Sequence, residues 1–289
     1  MNQTPNIDRK LYQRALHLCL HSVYEKTRRG FWKLCGYLNT SLTSHAWKIK
    51  CCPTCDILVE KYASLSDFHV NELAEHKCPY TLDDFETLNY KAYSCPNCGA
   101  SDRDRLISSY LQQEISKGKK IKHILDIAPA KALGQQLKQI TKSYRSADLY
   151  MEDVTDKTDI TNMTVYADKT FDLVVCSHVL EHIPDDLAAM REINRVLKSK
   201  GIALILVPIV KQLDAITEDI HESDPNERWR KFAQNDHVRL YSQKGLVERL
   251  TQSGFRVSKI SGQSLLMNHW YDPGFEASSI LYKCVKSKR

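Results

Sequence analysis

The stretch FDLVVCSHVLEHIPDDLAAMREINRVLKSKGIALILVP, residues 171–208, constrains the fold more than any other part of the chain. FDLVVCS (171–177) and IALILVP are almost continuously apolar, as strands buried on both faces are. Between them, residues 185–201 have helical spacing and end in lysines and Gly201, so the pattern predicts one helix over that whole range. A strand, a helix and a second buried strand in succession point to a parallel sheet with its crossover helix packed on one face.

The alternation extends both ways from this unit. IKHILDIA reads as a strand, and AKALGQQLKQI as a helix with Leu133, Leu137 and Ile140 on one face. YRSADLY is a second strand. Residues 242–254 form a helix closed by Gly254, followed by strands in FRVSKI and SSILYKCV. The predicted class is α/β: a Rossmann-like sheet over residues 119–289 with helices on both faces. A connecting helix precedes it at 101–118, with Ser101 as N-cap and Leu106, Ile107, Tyr110, Leu111 and Ile115 as its apolar face. On that helix Arg103 and Arg105 are expected to pair with Asp102 and Asp104; contact with a substrate is the alternative.

Ligands of such sheets bind beyond the carboxyl ends of the strands. Three aspartates fall there. Asp126 closes the first strand, Asp148 closes the second 22 residues later, and Asp159 sits in KTDITNM. An acid about 20 residues after the first turn can accept the ribose hydroxyls of a nucleotide-like ligand. The first turn itself, Ala128-Pro129-Ala130, lacks the usual glycines. Small residues still admit a ligand to the backbone, proline stiffens the turn, and the N–H groups opening the next helix can meet a carboxylate.

Ten cysteines, without an apolar leader, point to thiols and metal rather than to disulfides. Cys52-Pro53-Thr54-Cys55 and Cys95-Pro96-Asn97-Cys98 are two C-x-x-C turns, each able to present two thiolates to one tetrahedral zinc ion. Gly99 suits the positive φ of such a knuckle. Residues 51–100 therefore form a zinc-ribbon-like module with a structural zinc on Cys52, Cys55, Cys95 and Cys98. His76, Cys78 and Cys51 are the alternative ligands.

Residues 1–50 carry nine Lys/Arg and two acids, and so hold the positive excess of a chain whose formal charge is +6. This basic segment, with helical spacing over 11–26, is a solvated face or a contact to an acidic partner. A hydrophobic fraction of 42% and a charged fraction of 26% exclude wholesale disorder. No apolar run approaches the roughly 20 residues of a membrane span, and a cytoplasmic location is expected.

With these residues in place, the chain over about 120–285 resembles the class I S-adenosylmethionine-dependent methyltransferases, most specifically in the 171–208 stretch. The resemblance implies that the turn Asp126, Ala128, Pro129 and Ala130 faces the cofactor. It further implies that Asp148 holds the ribose, that Asp159 and Ile160 frame the adenine, and that Ser177 and His178 lie by the methionine part. Glu181 and His182 belong to the recurring LEH pattern. The whole chain is similar to a subgroup with a paired-cysteine ribbon before R-x-R-L, a strand ending in A-P, and a signature matched here by DPNERWRKFAQNDHVRLY (224–241). That subgroup carries an acid where this chain has Ala130, and it implies a saccharide or other polar small-molecule acceptor, connected with surface glycans. His237 is the expected base, oriented by Asp236 or another acid, and Arg239 the expected clamp on an anionic substrate. Two alternatives stand: an RNA or protein methyltransferase docking through the zinc ribbon and basic N-terminus, and a non-catalytic binding protein on the same fold.

Overall fold

A computed structural model describes residues 50–267, 269 and 271–287. The expected helix over 11–26 and nearly all of the basic N-terminal segment lie outside the described residues.

The core is a seven-stranded sheet built from β3 (His123–Ile127), β4 (Ser143–Asp148), β5 (Asp156–Lys157), β6 (Phe171–Ser177), β7 (Leu197–Leu206), β10 (Phe255–Ser261) and β11 (Ile280–Lys286). Its order is β10-β11-β7-β6-β3-β4-β5. Strands β3 to β7 are parallel, while β11 runs antiparallel to both β7 and β10. Order therefore switches between β3 and β6, the place where an open α/β sheet leaves a crevice.

Alternation along the strands explains the layers. One face of the sheet, with Leu125, Ile127, Val174, Cys176, Ala203 and Ile205, packs on α4 (Asp186–Val196) and α6 (Gln243–Gln252). The other, with Ile124, Leu173, Val175, Ile202 and Leu204, packs on α2 (Asp102–Ser116), α3 (Lys131–Ile140) and α7 (Gly262–Leu266). The α/β class with helices on both faces is as expected. Helix α2 starts at the expected Ser101, whose hydroxyl accepts from Asp104 N–H while the Asp104 carboxylate accepts from Ser101 N–H.

One expectation is corrected. The helix predicted over 185–201 ends at Val196, and residues 197–201 already belong to β7. Lys198 does not cap a helix but pairs with Asp172 at 3.0 Å. Gly201 lies where the β6–β7 register shifts, and a Cβ there would stand 2.9 Å from the Phe171 carbonyl. That glycine serves a close approach between strands, which from sequence looks the same as a helix stop.

Upstream of the sheet, β1 (Lys50–Cys52) and β2 (Ile57–Val59) form a hairpin, followed by α1 (Phe68–Glu75). This module is tied to the body by Arg105. Its buried guanidinium donates to the carbonyls of Ala92, Tyr93, Ala100, Pro273 and Gly274, and stacks over Tyr62 at 4.0 Å. The expected Arg105 ion pair is replaced by this backbone hub. The polar stretch 208–241 holds α5 (Pro225–Phe232) and a two-stranded ribbon of β8 (Thr217–Glu218) and β9 (Arg239–Leu240). His76 of the first module stacks on Trp229 of α5, with planes 4° apart. No helix among the described residues is long and apolar enough to cross a membrane.

Candidate active site

The carboxyl ends of β3 and β6 lie side by side, because Ile127 pairs with Cys176. Just past each end the backbone turns through a left-handed residue, Ala128 at φ 48° and His178 at φ 57°. Ala128 N–H donates to Ala147, and His178 N–H donates to Leu206. Each is a non-glycine held in a conformation that ordinarily costs an L-residue about 1–2 kcal/mol. Backbone strain of this kind clusters at ligand sites.

Between the two turns lies a cleft walled by Asp126, Ala128, Ala130, Ser177, His178 and, from α2, Arg103. Five of the residues expected at the cofactor thus come together. Asp126 is buried, and its Oδ2 accepts from the Tyr144 hydroxyl at 2.9 Å. Burial pushes the Asp126 pKa up to about 7, against the pull of that hydrogen bond. Gly134 leaves room for this bond, since a Cβ would stand 2.9 Å from Tyr144 Oη and displace the hydroxyl. Ala130 begins α3 without a side-chain cap, which leaves first-turn N–H groups for an anion.

Asp148, Asp159 and Ile160 lie beyond that cleft. Asp148 closes β4, and its Oδ1 accepts from Tyr150 and Met151 N–H at 2.7 Å each. Asp159 is exposed and accepts from the Thr161 N–H and hydroxyl, whereas Ile160 is buried in the core with Ile127 and Ala147. Pro129 stands in the turn, with its Cβ 3.8 Å from where a Gly134 Cβ would sit.

A second cleft is walled by His69, Tyr93, Arg103, His178, Pro208 and His237, among others. The two clefts share Tyr93, Arg103 and His178. Arg103 makes neither expected ion pair. It lies 2.9 Å from His178 Nε2 and donates to Tyr93 Oη at 2.9 Å. Burial, and then the Arg103 charge, push the His178 pKa down to about 4, so the ring is neutral at pH 7.

Behind His178, the 3-10 turn Leu180–His182 carries Glu181, which is fully buried. Burial raises its pKa, but the surrounding histidines outweigh that and bring it down to about 2. The 237–241 segment is pinned to this turn by Val238 N–H donating to the Glu181 carbonyl. His237 is buried at the wall of the second cleft. Its Nδ1 lies 3.0 Å from the Phe232 carbonyl, and its Nε2 lies 4.0 Å from Glu181 Oε1. The acid beside His237 is therefore Glu181, while Asp236 lies 3.3 Å from His182 Nδ1.

Arg239 is a correction. It was expected to clamp a substrate, but it is 0% exposed. Its guanidinium donates to the carbonyls of Leu180, Ile183 and Pro184 and to Glu218. Each of its three nitrogens donates inside the protein, so it braces the turn bearing Glu181. Arg249 reinforces the brace through Asp186 and Glu218, and Asp186 also accepts from Tyr241 Oη.

The cysteine turns converge as the spacing predicts. Sγ atoms are 3.8 Å apart for Cys52 and Cys98 and 4.0 Å for Cys55 and Cys95, and all four lie within 4.8 Å of one another. Thiolates about 2.3 Å from a common tetrahedral ion stand about 3.8 Å apart, so the set fits zinc. Gly99 follows the second turn at φ 77°, and Asp56 follows the first at φ 56°. Cys51, His76 and Cys78 are outside this cluster.

The sequence reading missed Tyr93 and Tyr144 as site residues, and it missed the centrality of Arg103 and Glu181. A polar residue is conspicuous only in a motif, and the tyrosines belong to none. Glu181 stood in the LEH pattern, but its burial among histidines depends on residue 237, far along the chain.

Comparison with known proteins places the fold in a family. A family model described as a methyltransferase domain matches residues 80–260. An uncharacterized protein of Methanocaldococcus jannaschii is 46% identical over 55 residues, which cover 19% of this chain and 23% of that protein. The chain thus matches about a quarter of that relative's length. Among solved structures, an S-adenosylmethionine-dependent methyltransferase from Clostridium acetobutylicum is 13% identical, with 62% of this chain and 90% of that one covered and a TM-score of 0.42. The N-methyltransferase NodS from Bradyrhizobium japonicum, in complex with S-adenosylhomocysteine, is 15% identical over 65% of this chain and 88% of that one, with a TM-score of 0.39.

Proposed function

The chain belongs to the methyltransferase-domain family, and from that premise we propose that it is an S-adenosylmethionine-dependent methyltransferase acting on a saccharide or another polar small molecule. The observation that carries this reading is the junction of two clefts at Tyr93, Arg103 and His178. A sulfonium donor supplies an activated methyl group, so the protein mainly has to align donor and acceptor. Two clefts with a common wall provide that alignment.

The residues of the first cleft suit the donor. Arg103 and the uncapped start of α3 offer positive potential to its carboxylate. Asp126 is the acid nearest the turn, and Asp148, with Oδ2 outside its local hydrogen bonds, is the ribose acceptor. Asp159 and Ile160 complete the adenine side. The second cleft, with His69, His178 and His237 beside Arg103, suits a polar acceptor. His237 donates through Nδ1 to a carbonyl, so its Nε2 carries the lone pair that takes a proton from an acceptor hydroxyl. The four-cysteine cluster supports a structural zinc, closed to substrate.

Calorimetric titration with S-adenosylhomocysteine tests the donor site. Binding that Asp148→Ala abolishes is the expected result, and no binding by the wild type overturns the reading. Formation of S-adenosylhomocysteine across a panel of saccharides, set against RNA fragments, then tests the acceptor class. Zinc content of wild type and Cys95→Ser tests the metal, and a well-folded, zinc-free wild type removes it.

A further inference from the structure

We propose that Glu181, His182 and His237 form a second metal site, for a divalent transition-metal ion, at the wall of the acceptor cleft. One oxygen of Glu181 and one ring nitrogen from each histidine lie within 4.8 Å of one another. Both Glu181 carboxylate oxygens are fully buried and neither has a well-aligned hydrogen-bond donor, the histidines around them being their nearest polar neighbours. His178 Nδ1 approaches Oε1 to 3.1 Å but is not aligned for a hydrogen bond. The histidines outweigh burial and favour its ionised form, but a buried carboxylate without aligned donors gains further from a cation that meets its lone pairs.

The histidines are prepared to be ligands rather than donors. His237 Nδ1 lies 3.0 Å from the Phe232 carbonyl, which can only accept, so Nδ1 carries the hydrogen and Nε2 the lone pair. His237 Nε2 lies 4.0 Å from Glu181 Oε1, so two electron-pair donors stand near each other. His182 has a carboxylate partner, Asp236, at 3.3 Å from Nδ1. Carbonyl and carboxylate partners of this kind fix the tautomer and raise the basicity of metal-binding imidazoles. The spacing is wider than a bound ion allows, since donors about 2.1 Å from one ion stand about 3.0–3.4 Å apart at tetrahedral or octahedral angles. Ion uptake therefore requires the three side chains to draw together, His237 Nε2 and Glu181 Oε1 from 4.0 Å and the half-exposed His182 by turning its ring.

Two imidazoles and one carboxylate select ions such as Zn2+, Mn2+ or Fe2+, and three protein ligands leave positions open for an oxygen of the acceptor. With an ion bound, His237 is a ligand, and the ion replaces it in acidifying the acceptor hydroxyl. The site is independent of the cofactor reading, because ion uptake needs neither donor nor acceptor.

Mn2+ is the discriminating probe, since thiolate sites hold zinc far better than they take up manganese. Free Mn2+ is followed by electron paramagnetic resonance during titration of the zinc-loaded protein, and Zn2+ is then used as competitor. One Mn2+ per chain, displaced by one Zn2+, is expected. His182→Asn, at a half-exposed position, and Glu181→Gln should each weaken uptake by about ten-fold or more. Equal thermal unfolding of His182→Asn and wild type shows that folding is intact. The proposal is overturned if neither Mn2+ nor Zn2+ adds an ion beyond the cysteine-bound one, or if both variants bind it as the wild type does.

Discussion

Arg103 Nη1 lies 2.9 Å from His178 Nε2, which joins the first turn of helix α2 to the left-handed turn after β6 at the point where two clefts meet. The neutral His178 ring adds no second positive charge here. Burial pushes the Arg103 pKa down, but Tyr93 and the acids Asp102, Asp104 and Glu181 around the guanidinium outweigh that and raise it. If the first cleft holds the donor as proposed, replacing Arg103 with glutamine removes one charge-assisted hydrogen bond to its carboxylate, worth about 1.5–3 kcal/mol. S-adenosylhomocysteine should bind Arg103→Gln roughly 10- to 100-fold more weakly by calorimetry. Unchanged affinity would take Arg103 out of the donor site.

Asp126 gives a pH prediction of definite sign. Its folded pKa is raised to about 7, above the unfolded carboxylate value near 4. The native state therefore binds the extra proton, and this contribution is complete below about pH 4 and lost as pH rises through about 7. Between those limits Asp126 lowers stability by up to about 1.4 kcal/mol per pH unit. Asp126→Asn should flatten that part of the stability–pH profile of the free protein, measured by urea unfolding from pH 4 to 8. A slope identical to wild type would show that the carboxyl is not held in its neutral form.

Much of this architecture was legible in advance, for reasons that also explain the failures. Buried parallel strands such as 171–177 announce themselves as apolar runs, and Ser101 and the C-x-x-C pairs act locally, so spacing alone placed them. Gly201 misled because a glycine beside lysines fits both a helix end and the strand crossing where it stands. Arg239 misled for a different reason. An arginine near a histidine in a polar segment resembles a substrate clamp until its distant partners are known, here three carbonyls some 55 residues or more upstream. Side chains whose role is set by long-range packing leave no periodic trace.

Arg239 accordingly separates bracing from substrate binding. Lysine retains the charge but cannot serve three carbonyls and Glu218 at once. Arg239→Lys should lose about 3 kcal/mol or more of stability, as breakage of a buried charged network does. In the fraction that remains folded, the acceptor KM should stay near wild type. A raised KM without loss of stability would restore the clamp.

Ala128 tests the strained turn. At φ 48° it stands where only glycine is unstrained. Ala128→Gly should raise stability by about 0.5–1 kcal/mol, read as a higher thermal midpoint, because relief of the left-handed strain outweighs the added unfolded-state entropy. A lower midpoint would mean that the methyl group packs well enough to offset its strain.

The cysteine cluster reaches the first cleft, the proposed donor site, through helix α3. The Pro53 carbonyl, inside the first knuckle, accepts from Gln112 and from Gln136 of α3 at 2.8 and 2.7 Å. Thr54 Oγ1 meets Ser108 Oγ at 2.9 Å, and Ser108 in turn donates to Gln136. Ala132, in the first turn of α3, packs with Cys52 and Cys95. That turn carries the uncapped N–H groups assigned to the proposed donor site. Stripping the metal, or Cys98→Ser, should therefore weaken S-adenosylhomocysteine binding although no cysteine of the cluster lines the cleft. Gln136→Ala keeps all four thiols and should show part of the same loss, about 0.5–1.5 kcal/mol for one hydrogen bond, or roughly 2- to 13-fold. Calorimetry on the zinc-loaded, chelator-treated and Gln136→Ala proteins measures the coupling. Equal affinities in all three would confine the metal to holding its own module.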